Sequence, residues 1–148
     1  HLLKIEQQEA ELEKFKNELE IRTKNLLERN RRIQEIKAQM NSMSNAQNSE
    51  ELDALLKSKI LTNQDWDNYK RAFEHVYPQF FKKLGSSFGD LTQGEQRTAA
   101  LMKLQLTNIE IAEILGISDK SVIQNKYRLR KKLSLEDNSA LLSHLDQL

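Results

Sequence analysis

Six cations, Lys120, Lys126, Arg128, Arg130, Lys131 and Lys132, fall between Lys120 and Leu133, and no acid stands among them. Phosphate oxygens need such cations. Base edges instead need side chains that donate, accept or make small apolar contacts. This stretch supplies both kinds. At about 100° per residue, Lys120, Gln124, Tyr127 and Lys131 share one face of a helix, with Ser121, Ile123 and Arg128 beside it. Val122, Leu129 and Leu133 take the opposite side. The chemistry implied is contact with double-stranded DNA. The alternative is a solvated basic face whose last-turn cations complement the helix dipole.

A helix used in this way must be presented by a scaffold, and the residues before it describe one. Thr107 and Glu110 form a capping box that starts a helix. Ile109, Ala112, Ile114 and Leu115 give that helix an apolar stripe, and Gly116 supplies the left-handed residue that ends it. Ser118 caps the basic helix, and Asp119 complements the dipole in its first turn. A short helix, the turn Gly116-Ile117-Ser118 and a second helix form the pattern of a helix-turn-helix. Thr107 and Asn108, which open the first helix, complete the candidate DNA-binding set. A supporting helix is expected from about Leu91, with Thr92 and Glu95 as a second capping box and Ala99, Ala100, Leu101, Met102 and Leu104 inside. A last helix from about Glu136 carries Leu141, Leu142, Leu145 and Leu148. No period-two alternation is sustained, so the expected fold class is all-α.

Other kinds of chemistry find little support. The chain has 148 residues, no cysteine and four glycines, so disulfides and thiolate metal sites are excluded and no nucleotide-binding glycine motif is present. His75 could suggest the phospho-acceptor of a kinase stalk. Its acid, Glu74, precedes it, whereas such a histidine is usually followed by one, and Val76 stands there. His1 and His144 have no second ligand at helical spacing. No enzyme activity, cofactor or metal is therefore expected. The formal net charge of +1 says nothing until its distribution is considered, with six cations on one helix. No apolar run approaches the roughly 18 residues of a membrane span, and no signal peptide is present.

The first third of the chain has a different pattern. Ile5, Leu12, Leu19, Leu26, Ile33 and Met40 recur every seven residues, and a second line three residues on runs Gln8, Phe15, Arg22, Arg29, Ile36 and Met43. A strict repeat of seven implies a left-handed coiled coil, read as a two-stranded parallel dimer with the first line at a and the second at d. Arg22 and Arg29 must then snorkel from the seam. The alternative is one long helix that folds back on the next segment of its own chain. Asn41 to Ser49 is polar and aperiodic and reads as a linker or a frayed helix end. Leu52, Leu55, Leu56 and Ile60 suggest a short amphipathic helix. Thr62 to Asp65 then opens another helix, with Trp66, Tyr69, Phe73 and Tyr77 on one face as core. Pro78 ends it and begins the turn PQFFKKL, before Gly85 to Gly89 breaks the chain again.

LTQGEQRTAALMKLQLTNIEIAEILGISDKSVIQNKYRLRKKLSL resembles the C-terminal LuxR-type helix-turn-helix of bacterial transcriptional regulators. The likeness is nearest to the version attached to tetratricopeptide-repeat and similar sensor proteins of Bacteroidetes-like bacteria. It rests on Leu91-Thr92 with Glu95, on Glu110-Ile111-Ala112, on Ile117-Ser118, and most of all on Tyr127 to Leu133. Trp66, Phe73 and Pro78-Gln79-Phe80 match the segment upstream of it, and the coil matches in type what commonly precedes that. The resemblance implies base contacts at Ile123, Gln124 and Tyr127. More distant relatives often carry Lys at the first of these and near the last, and closer ones usually carry Arg where Lys126 stands.

These readings divide the chain into a dimerisation stalk (1–43), a linker and aromatic connector (44–90) and a four-helix LuxR-type DNA-binding domain (91–148). The expected function is a sequence-specific transcriptional regulator, a homodimer bound to double-stranded DNA with helix 119–133 in the major groove. The alternative is a protein-interaction module docking RNA polymerase or another regulator. The resemblance places such a chain in the cytoplasm. It also implies a sensor region before His1 and, for the full-length protein, an anchor in the inner membrane.

Overall fold

The computed structural model describes residues 2–43, 63–88 and 90–148, and among these there are seven helices and no strand. The protein is all-α. The helix expected around Leu52 to Ile60 and most of the expected linker lie outside the described residues. Two units divide the chain, His1–Val76 and Tyr77–Leu148.

The first unit is built on α1, Leu2–Met43, and α2, Asn63–Val76. At 1.5 Å per residue, the 42 residues of α1 run for about 63 Å. Its buried residues, Leu19, Thr23, Leu27 and Asn30, are spaced by four, four and three, and so form one stripe. α2 presents Trp66, Tyr69, Ala72, Phe73 and Val76 at matching helical spacing. Three pairs fix the direction of the packing. The Phe15 and His75 rings lie 4.7 Å apart, the Thr23 and Tyr69 hydroxyls 2.6 Å apart, and the Arg29 guanidinium 3.5 Å from the Asp65 carboxylate. Numbers rise along α1 as they fall along α2, so the helices are antiparallel.

The Thr23–Tyr69 bond has a defined polarity. Thr23 Oγ1 donates its single proton to the Leu19 carbonyl at 2.8 Å, so the Tyr69 hydroxyl must donate to Thr23. Burial pushes the Tyr69 phenol up to about 12.

This packing bears on the heptad line. Leu19 is 3% exposed within the hairpin, Leu26 and Ile33 are half-buried, and Ile5 and Leu12 remain exposed. Between Phe15 and Asn30, part of the seam is thus turned onto the chain's own α2. The repeat of seven marks the apolar face of α1 without specifying what covers it.

The second unit contains α3 (Phe80–Phe88), α4 (Gln93–Lys103), α5 (Asn108–Leu115), α6 (Asp119–Leu133) and α7 (Asn138–Asp146). α4 is central and packs on α5, α6 and α7. Ala99 and Ala100 are wholly buried, and their small side chains allow those helices close approach. Leu101, Ile111, Ile114, Val122, Leu129, Leu141 and Leu145 fill the space between them with no solvent exposure. At about 1.5–3 kcal/mol per large apolar side chain, this burial is the main force holding the unit together.

Three local expectations need correction. α3 does not break at Gly85 but runs on to Phe88, since one glycine weakens a helix by only about 1 kcal/mol. In α5 the buried residues are Ile111, Ala112 and Ile114, whereas Ile109 lies on the far side and is 60% exposed. Thr92 does accept the Glu95 amide at 3.2 Å, but the Glu95 carboxylate does not complete the box because it is held elsewhere.

Candidate nucleic-acid interface

The turn between α5 and α6 follows from local chemistry. The Thr107 amide donates to Glu110 Oε1 at 3.0 Å, and the Glu110 amide donates to Thr107 Oγ1 at 3.2 Å, which closes the capping box. Gly116 ends α5 in the left-handed region, with φ 67° and ψ 34°. Ser118 Oγ then accepts the Ser121 amide at 3.1 Å and opens α6. The Ser121 hydroxyl lies 3.0 Å from Ser118 Oγ, so this candidate DNA contact also serves the cap.

The remaining candidates on α6 lie on one face. Lys120, Ile123, Gln124, Tyr127, Arg128 and Lys131 are all exposed, while Val122, Leu129 and Leu133 on the opposite side are buried. Thr107 is exposed at the start of α5 and Asn108 is half-buried. Tyr127 is half exposed, with the Arg130 guanidinium 5.5 Å and the Lys131 ammonium 5.4 Å from its ring centre. The ring is therefore held by two cations while its edge stays open to solvent.

The six cations do not all belong to this face. Lys132 turns back to α4, where its ammonium lies 2.8 Å from each Glu95 carboxylate oxygen and donates to the Asp90 carbonyl at 2.7 Å. Arg130 reaches the Glu136 carbonyl at 3.4 Å. Lys126 lines a cleft with Met102, Gln105, Leu106, Asn138 and Leu142, and burial there lowers its pKa. Lys120, Arg128 and Lys131 remain as the exposed cations not turned back onto the scaffold. On the scaffold side, Asn125 Nδ2 donates to Thr98 Oγ1 at 3.2 Å and ties α6 to α4.

Sequence reasoning missed the Glu95–Lys132 pair. A glutamate on an otherwise apolar helix face needs a cation, but spacing along α6 does not single out Lys132 within the basic run. The arrangement can neutralise phosphates with three cations and offer Gln124, Tyr127 and Ile123 to base edges. Among the described residues no group of acids and histidines could hold a metal ion, and no helix is long and apolar enough to cross a membrane. Comparison with protein-family models, with curated proteins and with solved structures gives no match.

Proposed function

We propose that this chain is a sequence-specific DNA-binding regulator of transcription, of the LuxR-type helix-turn-helix kind, that acts as a homodimer joined through α1. The observation that carries the reading is the outer face of α6. It has three exposed cations, an exposed amide and a half-exposed tyrosine, and no acid between Lys120 and Leu133. α6 enters the major groove, with Lys120, Arg128 and Lys131 on phosphates and Gln124, Ile123 and Tyr127 toward base edges. In a dimer, two such helices occupy half-sites about 34 Å apart. Catalysis, cofactors and metals have no place in this reading, and the regulator works in the cytoplasm.

A second reading, docking onto RNA polymerase or another regulator, draws on Ile109 and Ile123, which are 60% and 53% exposed. Selection of bound duplexes from a random DNA pool separates the two. A palindromic enriched motif supports the DNA-binding dimer, and a pool that stays random favours protein docking.

A further inference from the structure

The groups that α6 can offer to base edges are uncharged. Adding about 100° per residue, Ile123 and Gln124 stand about 50° to either side of the line between Lys120 and Tyr127. Ile123 is 53% exposed, and the exposed Gln124 side chain is bound by no described residue. The two arginines of the helix do not share this position. Arg130 is held at the Glu136 carbonyl, 3.4 Å away. Arg128 lies about 90° round the helix from the same line, toward the groove edge where phosphates stand.

Resting on the DNA-binding reading above, which gives Lys120, Arg128 and Lys131 to phosphates, we propose that each half-site is read at two A·T pairs. At one, the Gln124 amide pairs with adenine. At the other, Ile123 packs on the 5-methyl group of thymine. An amide sets one donor beside one acceptor, which complements the N6 amino group and N7 of adenine. Guanine shows two acceptors, O6 and N7, and would leave the amide oxygen without a partner. Its usual reader is a forked arginine, which this face does not present. Ile123 has no polar atom in its side chain, and only thymine carries an apolar group in the major groove. Over any other base, the isoleucine would strip water from donors and acceptors and return no bond. The two side chains diverge by about 100°, so they meet different base pairs.

The test removes single atoms from the duplex. The intact chain and its Ile123→Ala and Gln124→Ala variants are titrated against the duplex enriched from a random pool. Its thymines are replaced one at a time by deoxyuridine, which lacks the methyl group, and its adenines by 7-deazaadenine, which lacks the N7 acceptor. Both substituted side chains are exposed, so the variants keep their fold. One deoxyuridine position should lower the affinity of the intact chain about three- to fivefold, the worth of one methyl, and leave that of Ile123→Ala unchanged. One 7-deazaadenine position should cost the intact chain about two- to tenfold and Gln124→Ala nothing. Losses that the variants share, no loss at any position, or an enriched half-site of G·C pairs alone would overturn the two contacts while leaving the DNA-binding regulator intact. A pool that enriches no duplex would overturn both.

Discussion

The Lys132 ammonium sits 2.8 Å from both carboxylate oxygens of Glu95, a side chain only 1% exposed in the first turn of α4. A carboxylate so placed needs a partner, because an unpaired charge held away from water costs several kcal/mol. Lys132 supplies it and also holds the Asp90 carbonyl, so the last turn of α6 is fixed to the start of α4. The pair thus sets how α6 stands on its scaffold.

Removing one partner should therefore cost more than removing a surface charge. Lys132→Met leaves the carboxylate stranded and is expected to destabilise the second unit by about 3 kcal/mol, at the low end for buried pairs because the lysine is one-third exposed. Glu95→Gln keeps the shape without the buried charge and should cost less. Denaturant unfolding with a probe in this unit measures both. Equal, sub-kcal effects would show the pair to be incidental.

Lys131 and Gln124 lie one above the other on the exposed face, and their substitutions should behave differently. Lys131→Ala is expected to weaken binding to every duplex alike and to flatten the salt slope by about one unit for each bound subunit. Gln124→Ala should instead cost about 1–3 kcal/mol on the selected site and little on random DNA. Titration of both variants against both duplexes decides the matter. Uniform loss from Gln124→Ala would remove it from the base-reading set.

For Tyr127, the half-exposed ring between Arg130 and Lys131 favours a role at the surface over one in the core. Tyr127→Phe should leave the melting temperature nearly unchanged and weaken duplex binding by about 0.5–1.5 kcal/mol, the net worth of one hydrogen bond. Full-strength binding by that variant, with a sharply lowered melting temperature for Tyr127→Ala, would place the ring in the core instead.

How much of this was legible in the sequence depended on the range of the interaction. The caps at Thr107, Ser118 and Gly116 were readable because each is satisfied within four residues, and so was the exposed face of α6, which follows from one period. Glu95–Lys132 spans 37 residues and Thr23–Tyr69 spans 46, and no local pattern announces either. The heptad line shows the same limit. It marks Leu19 as apolar and buried, but α2 of the same chain covers this stretch of α1 as well as a second coil strand would. Leu19→Glu is thus expected to disrupt the α1–α2 hairpin by several kcal/mol whatever the oligomeric state. The emission of Trp66, the single tryptophan, should report this.

The hairpin should also weaken in alkali. The Tyr69 phenol titrates at about 12 in the folded chain against 10.0 for a free phenol, so its contribution is complete below pH 10 and is lost as pH rises through 12. That contribution amounts to roughly 2–3 kcal/mol. Unfolding followed by Trp66 emission between pH 9 and 12 should show the decline, and Tyr69→Phe should abolish it. A decline that persists in the Phe variant would assign it to another group.

The most direct test of the central claim is the salt dependence of duplex binding by the intact chain, compared with a Lys120→Ala/Arg128→Ala/Lys131→Ala variant that keeps its fold. The account predicts that log affinity for the selected duplex falls linearly with log salt, because phosphate contacts release counterions. It further predicts that the variant's slope is shallower by about three units for each bound subunit. Affinity indifferent to salt, or a slope unchanged in the triple variant, would contradict the claim that this face of α6 lies on DNA.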